Sequence, residues 1–226
     1  MAEKNLRRPP PLTNYQPPTE PPAILHQDDD ILIADKPAGL LSVPGKAAEH
    51  ADCLLHRLVD MDPSILLIHR LDMDTSGLMV FARNRRAQRH LGLQFERRVV
   101  EKTYEALVAG DAGGKSGIIS LPLTSDWPNR PLQKVCCETG RAAETAWEKL
   151  GRAGTFYRMH LMPKTGRSHQ LRVHMRAIGT PIVGDRFYAP AAIAEARPRL
   201  MLHACKLSLR HPTGGAWMHF ESAPGF

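Results

Sequence analysis

The sequence predicts an α+β chain, and three observations carry that expectation. Short apolar runs of strand length recur along its 226 residues, among them Ile31–Ala34, Ile65–Ile68 and Leu78–Ala82. Only a few segments space their apolar residues as a helix does, most clearly Ala87, Leu91 and Phe95. Gly, Pro, Asp and Asn punctuate the intervals. This pattern supports alternating strands and a few helices and leaves the order of the strands open. A chain of this length forms one large or two small domains with a proper core.

Residues 1–22 read as a flexible tail. Lys4, Arg7 and Arg8 are followed by Pro9–Pro11, Pro17–Pro18 and Pro21–Pro22, a density that forbids helix and strand ladders. The ordered chain is expected from Ala23. Ile24–His26 and Ile31–Ala34 make two strands around Asp28–Asp30, a turn without the ligand spacing of a calcium loop. In Lys36-Pro37-Ala38-Gly39-Leu40, Pro37 and Gly39 fix a tight turn, with Lys36 expected to solvate it. A short helix is predicted between Asp52 and Asp60.

Next comes a polar cluster between two buried strands, His69-Arg70-Leu71-Asp72-Met73-Asp74-Thr75-Ser76-Gly77. Turn chemistry alone accounts for Asp74, Thr75, Ser76 and Gly77, but the cluster is more specific than a turn requires. Asn84 caps a helix running through Arg98, whose other faces carry Arg85, Arg86, Arg89, Arg97 and Arg98. Thr103–Ala109 reads as a strand. Gly110–Gly117 is a glycine-rich turn without a phosphate-binding pattern after it. Asp126–Val135 is an exposed loop bearing Trp127, Arg130 and Lys134, suited to stacking on RNA. Cys136 and Cys137, adjacent on a strand, would point to opposite faces and make a poor metal pair. Strands follow at 141–150 and 155–162. Ser168 is expected to cap a helix from His169 to Ile178, with His169, Arg172 and Arg176 on one face and Leu171, Met175 and Ile178 on the core side. A hairpin of 200–209 and 216–220 closes the chain.

The net charge of +7 favours a polyanionic partner. Four cysteines show no disulfide framework, and no apolar run approaches the roughly 18 residues of a membrane span. A reduced, cytoplasmic protein is the simplest expectation.

His69-Arg70-Leu71-Asp72-x-x-Thr75-Ser76-Gly77-Leu78 resembles the signature of the RluA family of pseudouridine synthases. Lys36-Pro37-x-Gly39-Leu40, Lys102-x-Tyr104, Thr165-Gly166-Arg167-x-His169-Gln170-Leu171-Arg172 and Gly184-Asp185-x-x-Tyr188 resemble further family elements in the same order. The resemblance runs from about Ala23 to Phe226, and Asp126–Arg141 is similar to the member that acts on both rRNA and tRNA. It implies a pseudouridine synthase catalytic fold at 23–226: a mixed, mainly antiparallel sheet with a few helices and a central RNA-binding cleft. No S4-type domain is expected ahead of it. No cofactor and no metal are implied, and a monomer is expected.

The resemblance also implies roles. Asp72 is the nucleophile, Arg172 the guanidinium that pairs with it, and Tyr104 the ring that contacts the flipped uracil. Arg70 enters the gap that the base leaves. His69, Lys164, Arg167, His169, Arg85, Arg86, Arg89, Trp127 and Arg130 are expected to meet RNA, as a large-subunit rRNA hairpin and a tRNA anticodon stem-loop. Whether Asp72 attacks C1′ or C6, or assists a glycal intermediate, stays open, as does the base that takes the C5 proton. The same chemistry on one RNA alone is the nearest alternative. A non-catalytic RNA chaperone would have no use for Asp72 beside Arg172. A metal-dependent nuclease would need clustered carboxylates, and only Asp74 stands near.

Overall fold

The computed structural model describes residues 15–226. Most of the expected tail, residues 1–14, lies outside them. The strands are β1 (Ala23–Gln27), β2 (Ile31–Lys36), β3 (Leu66–Leu67), β4 (Ser76–Ala82), β5 (Glu101–Val108), β6 (Ser116–Ser120), β7 (Leu123–Ser125), β8 (Gln133–Val135), β9 (Glu144–Ala153), β10 (Phe156–Pro163), β11 (Leu202–Arg210) and β12 (Trp217–Glu221). The helices are α1 (Leu54–Met61), α2 (Arg85–Glu96), α3 (Gln170–Ala177) and α4 (Ala191–Ala194). They form two compact units, one of residues 15–102 with 203–225, the other of residues 103–202 with Phe226.

In the first unit β4 is the central strand, buried along its whole length. β2 pairs antiparallel with it from Ile31–Ala82 to Lys36–Gly77. β3 pairs antiparallel at Leu66–Ala82, β11 pairs parallel at His203–Ser76, and β12 returns antiparallel on β11. The parallel contact is why β4 carries Gly77. Its φ is +115°, and a Cβ there would lie 2.4 Å from the Ala204 carbonyl oxygen. Ile31, Ile33, Leu78, Val80, Leu207 and Leu209 close the core against Ala87 and Leu91 of α2. Asn84 caps α2 as its sequence suggests: Oδ1 accepts the Ala87 N–H, while Nδ2 donates to Asp30. Residues 15–22 carry no helix or strand, yet the Tyr15 hydroxyl donates to the Asp52 carbonyl and accepts the Leu41 N–H.

In the second unit β5, β10, β9 and β6 lie side by side, each pair antiparallel. Their core joins Ala106, Val108, Met159 and Leu161 to Leu171 and Met175 of α3. β7 and β8 make a separate two-stranded hairpin.

Four expectations need correction. β6 was hidden by Gly113 and Gly114 ahead of it and Gly117 within it. Cys136 and Cys137 lie in the turn after β8, not on a strand. α3 is capped by no side chain: His169 precedes it in the left-handed conformation, at φ +53°. Finally, α3 is buried nearly all round, Arg172 and His174 included, because Asp185 and Thr145 supply those polar residues with partners.

Gly77→Ala is expected to destabilise the protein by about 3 kcal/mol or more, since backbone lies where the methyl would go. Gly92→Ala, in α2 with nothing within 4 Å, should instead stabilise it by about 0.5–1 kcal/mol. Urea unfolding of both variants checks the contrast.

Candidate active site

The loop holding Asp72 has its backbone pinned on both sides of that residue. The Ser42 hydroxyl donates to the Leu71 carbonyl at 2.7 Å and accepts the Leu71 N–H at 3.1 Å. The Met73 carbonyl takes two donors, the Gly39 N–H and Lys36 Nζ, each at 2.9 Å. The Thr75 N–H then closes a turn on the Asp72 carbonyl. Asp72 itself is half-buried, and Arg70 beside it is exposed.

Lys36 does not solvate its turn, as the sequence suggested; it is wholly buried. Its Nζ also donates to the carbonyls of Pro37 and Leu40, at 2.9 and 2.8 Å, so three donors meet three acceptors. Burial pulls its pKa down from 10.5 to about 7, opposed by the charges of Asp74, Asp72 and Asp35. Ser42 is the residue sequence reasoning passed over. A lone serine two places beyond a Gly-Leu pair carries no visible signal.

His69 lies within the first unit. Its Nε2 accepts the Val80 N–H at 3.1 Å, and its ring stacks on Phe95 at 4.7 Å. Burial, with the Lys102 ammonium second, holds its pKa down at about 3, so the ring is neutral. On α2, Arg85, Arg86 and Arg89 are all exposed, and Arg86 also reaches Asp30 and Thr213.

In the second unit Tyr104 is half-buried on β5. Arg172, 2 % exposed, lays Nε and Nη2 on the two oxygens of Asp185 at 2.8 and 2.7 Å. The rings of Phe187 and Tyr188 stand 4.9 and 5.2 Å from its Cζ. Such a bidentate, stacked guanidinium has a fixed plane. The turn before α3 is locked by Gln170, which accepts from the Thr165 hydroxyl and the Arg167 N–H and donates to the Glu144 carbonyl. Arg167 donates to the Ala142 carbonyl, and Lys164 pairs with Glu144 at 3.3 Å. His169 Nδ1 meets the Tyr188 hydroxyl at 2.6 Å. Trp127, 66 % exposed, carries the Arg130 guanidinium at 3.0 Å over its ring at the tip of the β7–β8 hairpin.

Lys36→Met keeps the volume but leaves three carbonyls without their donor, so a loss of about 3 kcal/mol at neutral pH is expected. The lowered pKa means that the unfolded chain binds more protons than the folded one between about pH 7 and 10.5. The stability of wild type relative to Lys36→Met should therefore rise with pH across that window. Urea unfolding of both proteins at several pH values measures it.

The RNA pseudouridylate synthase family model matches residues 30–177. The dual-specificity RNA pseudouridine synthase RluA of Vibrio vulnificus (strain CMCP6) is 51 % identical over 208 residues, covering 89 % of this chain and 83 % of that protein. RluA of Escherichia coli (strain K12) is 48 % identical over 217 residues, covering 95 % and 99 %. Among solved structures, human RNA pseudouridylate synthase domain containing 1 superposes with a TM-score of 0.72 at 28 % identity, over 89 % of this chain and 83 % of that one. With a family model over more than half its length and relatives near half identity along almost all of it, this chain belongs to the RNA pseudouridine synthase family.

Proposed function

We propose that the enzyme isomerises uridines in two structured RNAs, a hairpin of large-subunit rRNA and the anticodon stem-loop of certain tRNAs, acting as a cytoplasmic monomer. The observation that carries the site assignment is the clamp on Leu71 and Met73. It fixes by hydrogen bonds the backbone on both sides of Asp72, a half-buried residue.

The reaction breaks N1–C1′ and forms C5–C1′, with a proton leaving C5 and one arriving at N1. It is neutral in electrons and in atoms, so it calls for neither a redox partner nor an energy source. The uridine first leaves its stack, at a cost of a few kcal/mol. Arg70, exposed two residues before Asp72, fills the gap. Tyr104 stacks on the uracil. Asp72 acts as nucleophile in its ionised form, and Arg172, its plane set by Asp185, takes the role of guanidinium partner that the family resemblance implies. Arg85 and Arg89 of α2, with Lys164 and Arg167, supply cations for phosphates, and the Trp127–Arg130 pair offers a stacking surface. Arg86, exposed on the same helix, adds a cation, and His69 and His169 are assigned to the RNA-binding set as the family resemblance implies.

The dual reading rests on the likeness to relatives named dual-specificity synthases. Incubating the enzyme with each stem-loop separately and mapping pseudouridine tests it. Both should be modified at comparable enzyme concentrations; modification of one alone would make this a single-substrate enzyme. Asp72→Asn should abolish turnover while leaving RNA affinity within a few-fold, and appreciable turnover would remove Asp72 from its role. Replacing Arg85 and Arg89 together should weaken both RNAs alike and flatten the salt dependence of binding.

A further inference from the structure

The β7–β8 hairpin is not hydrogen-bonded into the main sheet of its unit. It is moored instead to the elements around Arg172. Leu123 and Leu132 at its base pack in one apolar cluster with Val173 of α3 and with Tyr188. Tyr188 is 2 % exposed, and its ring faces the Arg172 guanidinium. Its hydroxyl is the polar node of that cluster. It accepts the Gln133 N–H of β8 at 2.9 Å and meets His169 Nδ1, directly before α3, at 2.6 Å. With the hydroxyl accepting from Gln133, its own proton is available to Nδ1. One oxygen thus joins three chain segments: the hairpin, the start of α3 and the 185–188 loop that holds Arg172.

The same loop is tightened from the other side. Asp185 Oδ1 accepts the N–H groups of Phe187 and Tyr188 as well as Nη2 of Arg172. A shift of Tyr188 therefore moves both the carboxylate and the ring that define the guanidinium plane. His169 adds a backbone signature. It is one of two non-glycine residues with positive φ among the described residues, an uncommon conformation that histidine adopts more readily than most side chains. That backbone aims Nδ1 at the hydroxyl.

We propose that Tyr188 and His169 are positioning residues, a hydrogen-bonded latch through which the seating of the β7–β8 hairpin sets Arg172 for the isomerisation. An RNA that grips Trp127 and Arg130 at the hairpin tip pulls on β8, and the Gln133–Tyr188–His169 link carries that restraint to α3. The inference rests on the reading of Arg172 given above.

The test uses the full chain, an anticodon stem-loop RNA, single-turnover rates at saturating enzyme, Kd by filter binding and thermal melting. Tyr188→Phe keeps the ring and removes the hydroxyl. A rate loss of about ten-fold is expected, with Kd within about two-fold. His169→Ala should fall by a similar factor. His169→Asn tolerates the left-handed backbone and retains a polar group toward the hydroxyl, so it should recover most of the rate. A Tyr188→Phe enzyme that melts lower yet turns over at the wild-type rate would overturn the latch, because the hydroxyl would then serve stability alone. Equal rates for His169→Asn and His169→Ala would overturn it too, and this comparison stands even if Tyr188→Phe fails to fold. Arg172→Met in the same assay separates the two levels. Near-normal turnover there would defeat the reading of Arg172 itself, whereas a slow Arg172→Met beside a normal Tyr188→Phe would defeat the latch only.

Discussion

The buried ammonium of Lys36 is the constraint on which the rest of the first unit depends. An unpaired charge at full burial is among the most expensive things a protein can hold. Lys36 holds it by turning three carbonyls inward, and one of them belongs to Met73, the residue after Asp72. The Lys36–Ser42 segment and the Asp72 loop therefore form one polar unit inside an apolar shell. The tight turn at Pro37 and Gly39 has a reason in this geometry: it folds the chain back so that Gly39 and Ser42 also reach the loop.

Arg172 repeats the logic in the second unit with different chemistry. Its charge is met by a bidentate carboxylate and two ring faces, which set direction as well as charge. Lys36 supplies a point charge that fixes backbone, whereas Arg172 supplies an oriented plane.

Much of this was legible in the sequence, for identifiable reasons. Asn84 announced α2 because an asparagine ahead of an Ala87–Leu91 stripe has one cheap use, accepting the Ala87 N–H. β2 and β4 were visible as uninterrupted apolar runs because both are buried on each face. β6 was not, since Gly113, Gly114 and Gly117 read as a turn while the pairing with β9 that creates the strand is non-local. α3 misled in a different way. Its spacing suggested a polar face carrying Arg172, and only the tertiary partner Asp185, thirteen residues on, makes burial of that face possible. The role of Ser42 was likewise out of reach: it is defined by the Leu71 backbone it bonds, twenty-nine residues on, and nothing local marks it.

The central claim is that this site performs an isomerisation at uridine C5 and C1′ with no chain cleavage. Tritium release from an anticodon stem-loop labelled at uridine C5 measures it most directly, run with and without a strong chelator. One tritium per target uridine should appear in water, unchanged by chelator, with the RNA intact on a denaturing gel. Intact RNA without released tritium, or strand scission that the chelator abolishes, would contradict it.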